Sequence, residues 1–423
     1  MATLSRANPL PEMITVIPPI FAPIDSQTLQ APKEQHLAAR PCPICGKENS
    51  APIFGLPDFQ FFNDDPQRFK RADIQHVSCK NCLALYMNPT YTTEGFAVLF
   101  SLAAQSYGAS VIRQDEQLAW LHARELLDEG LTFLDVGCYT GNFIAGLPTN
   151  IAAVGVDIDQ GAIAQAQERH GSSNRRFLAA DFEQLSLEEN VDVITMFHVL
   201  EHLPRPLLVL QKLRALAAAH TRLVLEVPIL ELAKTNDING FLTVSHLTHF
   251  SRATLGRLAL AAGWEIVDET LQPDYNGYRI VAKPGQPQEQ PCFPGDRVCL
   301  YDYLGHFYNS LTDAAKVLAA IPAASQYVIW GGGFHTELVY HLSDFFREPD
   351  RRFLIVDMDP KKQGQHWRGV AITHPDVLST LDWTKTELLV SSYGNQDAIY
   401  QDALERRVPA AKIHRIYSHI RRY

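Results

Sequence analysis

From about Gly95 to Pro284 the chain alternates short apolar, β-rich runs with stretches whose apolar residues recur at helical spacing. IRQDEQLAWLHARELLDEG carries Leu118, Leu121, Leu126 and Leu127 on one face and predicts a helix ending at Gly130. The runs TFLDVGC, AAVGVDI, RRFLAAD, VDVITMF and TRLVLEVP predict five strands, with helices over GAIAQAQERH and RPLLVLQKLRALAAA. Two more strands, WEIVDET and GYRIVAKP, close the unit. Strands and helices in this rhythm predict an α/β fold, a parallel sheet covered on both faces.

PGQPQEQPCFPGD, rich in Pro, Gly and Gln, predicts a linker over residues 285–296. Beyond it RVCLYDYLGHFYNSLTDAAKVLAAI predicts a long helix. YVIWGGGFHT, RFLIVDMD and ELLVSSY then predict strands of a second αβ domain over 297–423. Residues 1–40 hold six prolines and no period, and predict an extended arm lying free, along the body or on a second subunit. The sequence thus divides into this arm, a cysteine-bracketed module at 41–93, an αβ core at 94–284, the linker and the C-terminal domain.

Composition narrows the function. Hydrophobic residues make up 46% and charged residues 20%, as in a globular protein with real cores. A net charge of -10 argues against nucleic acid or an anionic membrane as partner. No apolar run approaches a bilayer span of roughly 20 residues, and no secretory signal is evident. A cytoplasmic protein acting on a small molecule is expected. Oligomeric state is not legible.

In doubly wound sheets, ligands sit at the carboxyl ends of the strands where strand order reverses. The first strand ends in Asp135-Val136-Gly137-Cys138-Tyr139-Thr140-Gly141, where glycines would let backbone approach a ligand. Asp157, about twenty residues on at the second strand end, suits both ribose hydroxyls. Asp181 and Phe182 follow the third strand and suit an adenine, although Asp181 alone can simply cap a helix. The spacing GxxxG, rather than GxGxxG, disfavours a pyrophosphate. The fourth strand runs into Phe197-His198-Val199-Leu200-Glu201-His202.

Seven cysteines include two CxxC pairs, Cys42/Cys45 and Cys79/Cys82. Two such knuckles form a tetrahedral Cys₄ zinc site, structural because no position is left for water. Four small core cysteines are the plain alternative, and a redox CxxC lacks the surrounding βαβ unit.

The series LDVGCYTG, VGVD, AADF and FHVLEH resembles the class I S-adenosylmethionine-dependent methyltransferases. That resemblance places Asp135, Gly137 and Gly141 around the methionine part of the cofactor and Asp157 on the ribose. Asp181 and Phe182 would hold the adenine, and Phe197 and His198 would line the sulfonium end. With the cysteine module and second αβ domain, the chain is similar to the deoxysugar (nucleotide-ketosugar) C-methyltransferases. A Gly-rich strand end at Gly331-Gly332-Gly333, the acidic Asp357-Met358-Asp359 and Lys361-Lys362-Gln363-Gly364 belong to the same resemblance.

Those enzymes methylate carbon next to a ketone in a nucleotide-linked sugar, which needs a base for the α-proton. Aligned on Phe250-Ser251, His246 falls on the family's basic histidine. Thr243, Val244 and Ser245 stand where the family has tyrosine, histidine and glutamate. His202 and His249 are further catalytic candidates. Each also has a plain reading: His202 shapes or packs the pocket, and His249 bonds a backbone carbonyl. Glu226 reads as a structural partner. An O- or N-methyltransferase on the same architecture, and a non-catalytic cofactor sensor, are the alternatives. A dinucleotide site in the C-terminal domain is disfavoured, because GGGFHT lacks the third glycine.

Overall fold

The computed structural model describes residues 21–24, 36–61, 70–100, 111–182, 191–233, 235–271 and 276–420. Most of the proline-rich arm lies outside these residues. Of its described residues, Ala22 exchanges both backbone hydrogen bonds with Phe353 of the C-terminal sheet, and Leu37–Ala38 pairs antiparallel with Thr90–Tyr91.

A seven-stranded sheet forms the centre. Strand Thr132–Val136 lies between Ala152–Asp157 and Val191–Phe197, parallel to both. Arg175–Ala179 extends the sheet beyond Ala152–Asp157, and Ala217–Pro228 extends it beyond Val191–Phe197. An antiparallel pair, Gly277–Pro284 and Trp264–Leu271, closes that side. The chain therefore runs outward from Thr132–Val136 in one direction, then returns and runs in the other. Order reverses at this central strand, and its carboxyl end opens beside that of Val191–Phe197.

Near-continuous apolar runs make these strands: every residue from Phe133 to Val136 is buried, as in a sheet covered on both faces. Helix Gln160–His170 starts where Asp159 caps the Ala162 N–H at 3.0 Å, and Pro206 opens helix Pro206–Leu216. Two helix ends differ from the sequence reading. Helix Val111–His122 stops short of Gly130, because Glu125 turns left-handed (φ 57°) and folds Leu126 and Leu127 back onto the core. Helix Pro206–Leu216 stops before the alanine run, which is drawn into the following strand.

The cysteine-bracketed segment forms an antiparallel sheet of Ser50–Phe61, Lys70–Cys79 and Leu85–Met87. A fourth strand comes from the core: Thr248–His249 pairs with Leu85 and Tyr86. The long strand Ser50–Phe61 reaches the C-terminal sheet, a six-stranded unit centred on Gln326–Trp330. There Glu337 accepts hydrogen bonds from the Gln60 N–H (2.7 Å), Trp367 Nε1 (2.7 Å) and Arg368 Nε (3.0 Å). Apolar residues of both units share one core, including Phe59, Phe61, Tyr327 and Phe353. Helix Pro294–Ala320 begins inside the expected linker. No described helix is long and apolar enough to cross a membrane.

Candidate active site

Asp135 is buried at the end of the central strand and accepts the Thr195 hydroxyl at 2.7 Å. Burial pushes its carboxyl up to about 7, despite that hydrogen bond, and the charge of Asp157 adds to the rise. The turn after it is held by conformation as much as by composition. Gly137 and Gly141 both have positive φ, 81° and 75°. A Cβ on Gly137 would strike the Val199 side chain, and one on Gly141 would strike the Phe177 ring. The glycines are thus required by packing within the protein, a constraint the sequence reading had placed on the ligand side.

Asp157 is fixed by the same turn. Its Oδ2 accepts the Tyr139 N–H at 2.8 Å, and its Oδ1 accepts the Asp159 N–H at 2.9 Å. Tyr139 itself is left-handed (φ 46°), a strained conformation for a tyrosine that turns its N–H toward the carboxylate. The outcome is an oriented carboxylate whose remaining lone pairs can receive hydroxyl groups. The Ala180 N–H meets the Asp157 carbonyl at 2.9 Å, which brings the Asp181-Phe182 segment beside this acid. Phe197 packs its ring 5.0 Å from that of Phe143, at the carboxyl end of the neighbouring strand.

His198 follows Phe197 in a left-handed conformation (φ 57°). Its Nε2 lies 2.9 Å from Glu226 Oε1 and its Nδ1 lies 3.3 Å from Glu201 Oε1. Burial lowers its basicity, but the two buried carboxylates outweigh this and raise its pKa. Glu226 is also bound by Arg279 Nε at 2.6 Å, and Arg279 grips Glu116 through both terminal nitrogens (3.1 and 2.7 Å). The strand end expected to line a sulfonium thus sits on a charge network of His198, Glu201, Glu226, Arg279 and Glu116. Arg279 and Glu116 escaped the sequence reading; a lone arginine in the apolar run GYRIVAKP is the signal that could have exposed it.

The three candidate histidines meet. The His246 ring centroid lies 4.8 Å from that of His202 and 6.0 Å from that of His249. His76, from the cysteine module, stands 5.0 Å from His249 and was not foreseen. Burial holds His246 and His249 well below the ordinary histidine range, and the neighbouring histidines push the same way. Both rings are therefore neutral at physiological pH. His249 Nε2 has no hydrogen-bond partner among the described residues, so that nitrogen does not anchor to a backbone carbonyl. His202 Nδ1 lies 2.8 Å from the Ser245 carbonyl oxygen. A small pocket of about 30 Å³ adjoins His246, His249, Phe250 and Asn276.

The four module cysteines also converge. Cys42 Sγ lies 3.5 Å from Cys82 Sγ, and Cys45 Sγ lies 3.6 Å from Cys79 Sγ. Sulfurs bound to one zinc at about 2.3 Å stand roughly 3.8 Å apart in a tetrahedron, so this set fits. The Gly46 and Leu83 N–H groups return to the Cys42 and Cys79 carbonyls at 2.9 Å each and close the two knuckles.

Residues 112–269 match the model of a family described as a methyltransferase domain. The chain carries a methyltransferase domain. The matched methyltransferase segment runs from helix Val111–His122 to strand Trp264–Leu271, and so includes the Gly137 turn, Asp157, His198 and the His246 loop. Its fold is that of the class I, S-adenosylmethionine-dependent methyltransferases. No curated protein sequence matches the chain. Among solved structures, a SAM-dependent methyltransferase from Aquifex aeolicus is similar at 20% identity over 40% of this chain and 88% of its own, with a TM-score of 0.34. Magnesium protoporphyrin IX methyltransferase from Synechocystis, with S-adenosylhomocysteine bound, is 22% identical over 45% and 97%, at a TM-score of 0.36. The 1,6-didemethyltoxoflavin-N1-methyltransferase of Burkholderia thailandensis is 18% identical over 49% and 98%, at 0.39.

Proposed function

We propose that the protein C-methylates a nucleotide-linked ketosugar from S-adenosylmethionine, with a structural zinc held by Cys42, Cys45, Cys79 and Cys82. The observation that carries this reading is the neutral His246, packed against His202 just past the fourth strand end. When bound, S-adenosylmethionine supplies an electrophilic methyl group on sulfur. Asp157 would receive the ribose hydroxyls, Asp181 and Phe182 would meet the adenine, and Asp135, Gly137 and Gly141 would surround the methionine part. Phe197 and His198 would border the sulfonium end, where the buried carboxylates of Glu201 and Glu226 favour positive charge.

His246 would take the proton from the carbon next to the ketone, and S-adenosylmethionine would supply the methyl group, its sulfur–methyl bond breaking as the new carbon–methyl bond forms. A neutral imidazole suits the task, because a protonated one could accept nothing. Residues 94–284 would then be the catalytic core. The cysteine module at 41–93 holds the histidine loop, and residues 297–423 help enclose the large acceptor.

A second reading has its own support. Thr243, Val244 and Ser245 give His246 no carboxylate partner, which favours an oxygen or nitrogen acceptor of lower proton affinity. Incubation with ¹³C-methyl S-adenosylmethionine and a set of nucleotide deoxysugars decides between them by NMR. A new C–CH₃ signal is expected. A methoxy or N-methyl product would replace the first reading with the second.

A further inference from the structure

Glu201 is fully buried, yet neither carboxylate oxygen has a hydrogen-bond partner among the described residues. Its neighbours explain only part of its charge. His198 Nδ1 approaches Oε1 to 3.3 Å outside hydrogen-bond geometry, and His198 is also engaged by Glu226. On the other side His202 Nε2 stands 3.9 Å from the same oxygen, beyond hydrogen-bond reach. His202 Nδ1 faces the Ser245 carbonyl, which can only accept, so Nδ1 carries the proton. When that ring is neutral, Nε2 holds its lone pair, 3.9 Å from Glu201 Oε1.

Two lone-pair groups facing each other across 3.9 Å call for a cation between them. Metal bonds of about 2.0–2.1 Å from each would span that gap nearly in line. His246 provides a third donor, since one ligand atom from each of Glu201, His202 and His246 lies within 4.8 Å of the others. A backbone carbonyl on the far nitrogen of a histidine is the common way its metal-binding nitrogen is oriented.

We propose that Glu201, His202 and His246 form a second metal site, for a divalent transition ion such as zinc or cobalt. Two imidazoles and one carboxylate suit ions of this borderline softness better than magnesium or calcium, which prefer all-oxygen shells. The site is separate from the cysteine cluster and does not depend on the methyl-transfer reading. It bears on that reading in one respect. An ion held by His246 occupies the lone pair that would take a proton, so metal binding and base action exclude each other.

Cobalt titration of the full chain, with its cysteine site already filled, tests the proposal without an activity assay. One further ion per chain is expected, with weak d–d absorption and no thiolate charge-transfer band. Glu201→Gln and, as a milder change in the loop, His246→Gln should each weaken that binding about 10- to 100-fold. The metal content of the cysteine site should stay unchanged in both. No additional ion, a thiolate band on the added cobalt, or binding untouched by His246→Gln would overturn the site and leave an imidazolium–carboxylate pair in its place.

Discussion

His249 is the register partner of Leu85, so the loop carrying the candidate base is stitched into the cysteine module's own sheet. Other ties run the same way. The Met87 N–H meets the Leu247 carbonyl at 2.9 Å, and the Tyr91 hydroxyl meets the Val244 carbonyl at 2.9 Å. The cysteine cluster sits at the turn that leads into Leu85, beside the strand that Thr248–His249 joins.

Removing the proposed zinc ligand Cys82 should therefore loosen a loop far along the chain. Cys82→Ser is expected to release zinc and to speed hydrogen exchange at the His249 amide, with turnover falling at least about tenfold, or ~1.4 kcal/mol. Exchange at His249 that is unchanged in the metal-free variant would break this link. Mass-spectrometric exchange on peptides covering 244–252 makes the comparison.

The turn glycine at 137 should be intolerant for two separable reasons. Gly137→Ala places a Cβ against Val199 and forces a left-handed alanine, and should cost about 1–3 kcal/mol of stability. Pairing it with Val199→Ala should recover the steric part and leave the conformational part. Thermal unfolding of the single and double variants measures the split; no recovery would mean that conformation alone is responsible.

Acid stability should depend on Glu226. Burial works to raise its pKa, but His198 and Arg279 hold it at about 2, against an ordinary value of 4.5. A carboxylate depressed in the folded state stabilises above its unfolded pKa and loses that contribution as pH falls through the folded one. Urea unfolding of wild type and Glu226→Gln should accordingly diverge above about pH 4.5 and converge toward pH 2. Parallel curves across that window would contradict the pairing.

Glu337 joins the cysteine module to the C-terminal domain through Gln60, Trp367 and Arg368. Glu337→Ala leaves the Arg368 charge buried without its partner and should destabilise by about 3–5 kcal/mol. Limited proteolysis should then cut within residues 285–296 sooner than in wild type. An unaltered digestion rate would show that the apolar core alone holds the two units.

Much of the central sheet is legible in local pattern. Phe133 to Val136 or Ala153 to Val156 can only be buried strands, and the order of their polar ends locates Asp135, Asp157 and His198. Long-range pairings leave no such trace. Thr248–His249 is a two-residue strand with no period of its own, and its partner lies in another module. Arg279 and Glu116 meet across most of the core, so neither residue's neighbours in sequence announce the contact. The end of helix Val111–His122 was set by packing of Leu126 and Leu127, which helical spacing alone cannot distinguish from a longer helix.

The central claim is that the turn from Asp135 to Gly141, with Asp157, receives S-adenosylmethionine. Isothermal titration of the intact chain tests it most directly. S-adenosylmethionine should bind once per chain, NADH should give no heat, and Asp157→Ala should weaken S-adenosylmethionine about 100-fold, or ~2.7 kcal/mol. Binding of NADH in its place, or an Asp157→Ala chain that binds S-adenosylmethionine as tightly as wild type, would contradict the claim.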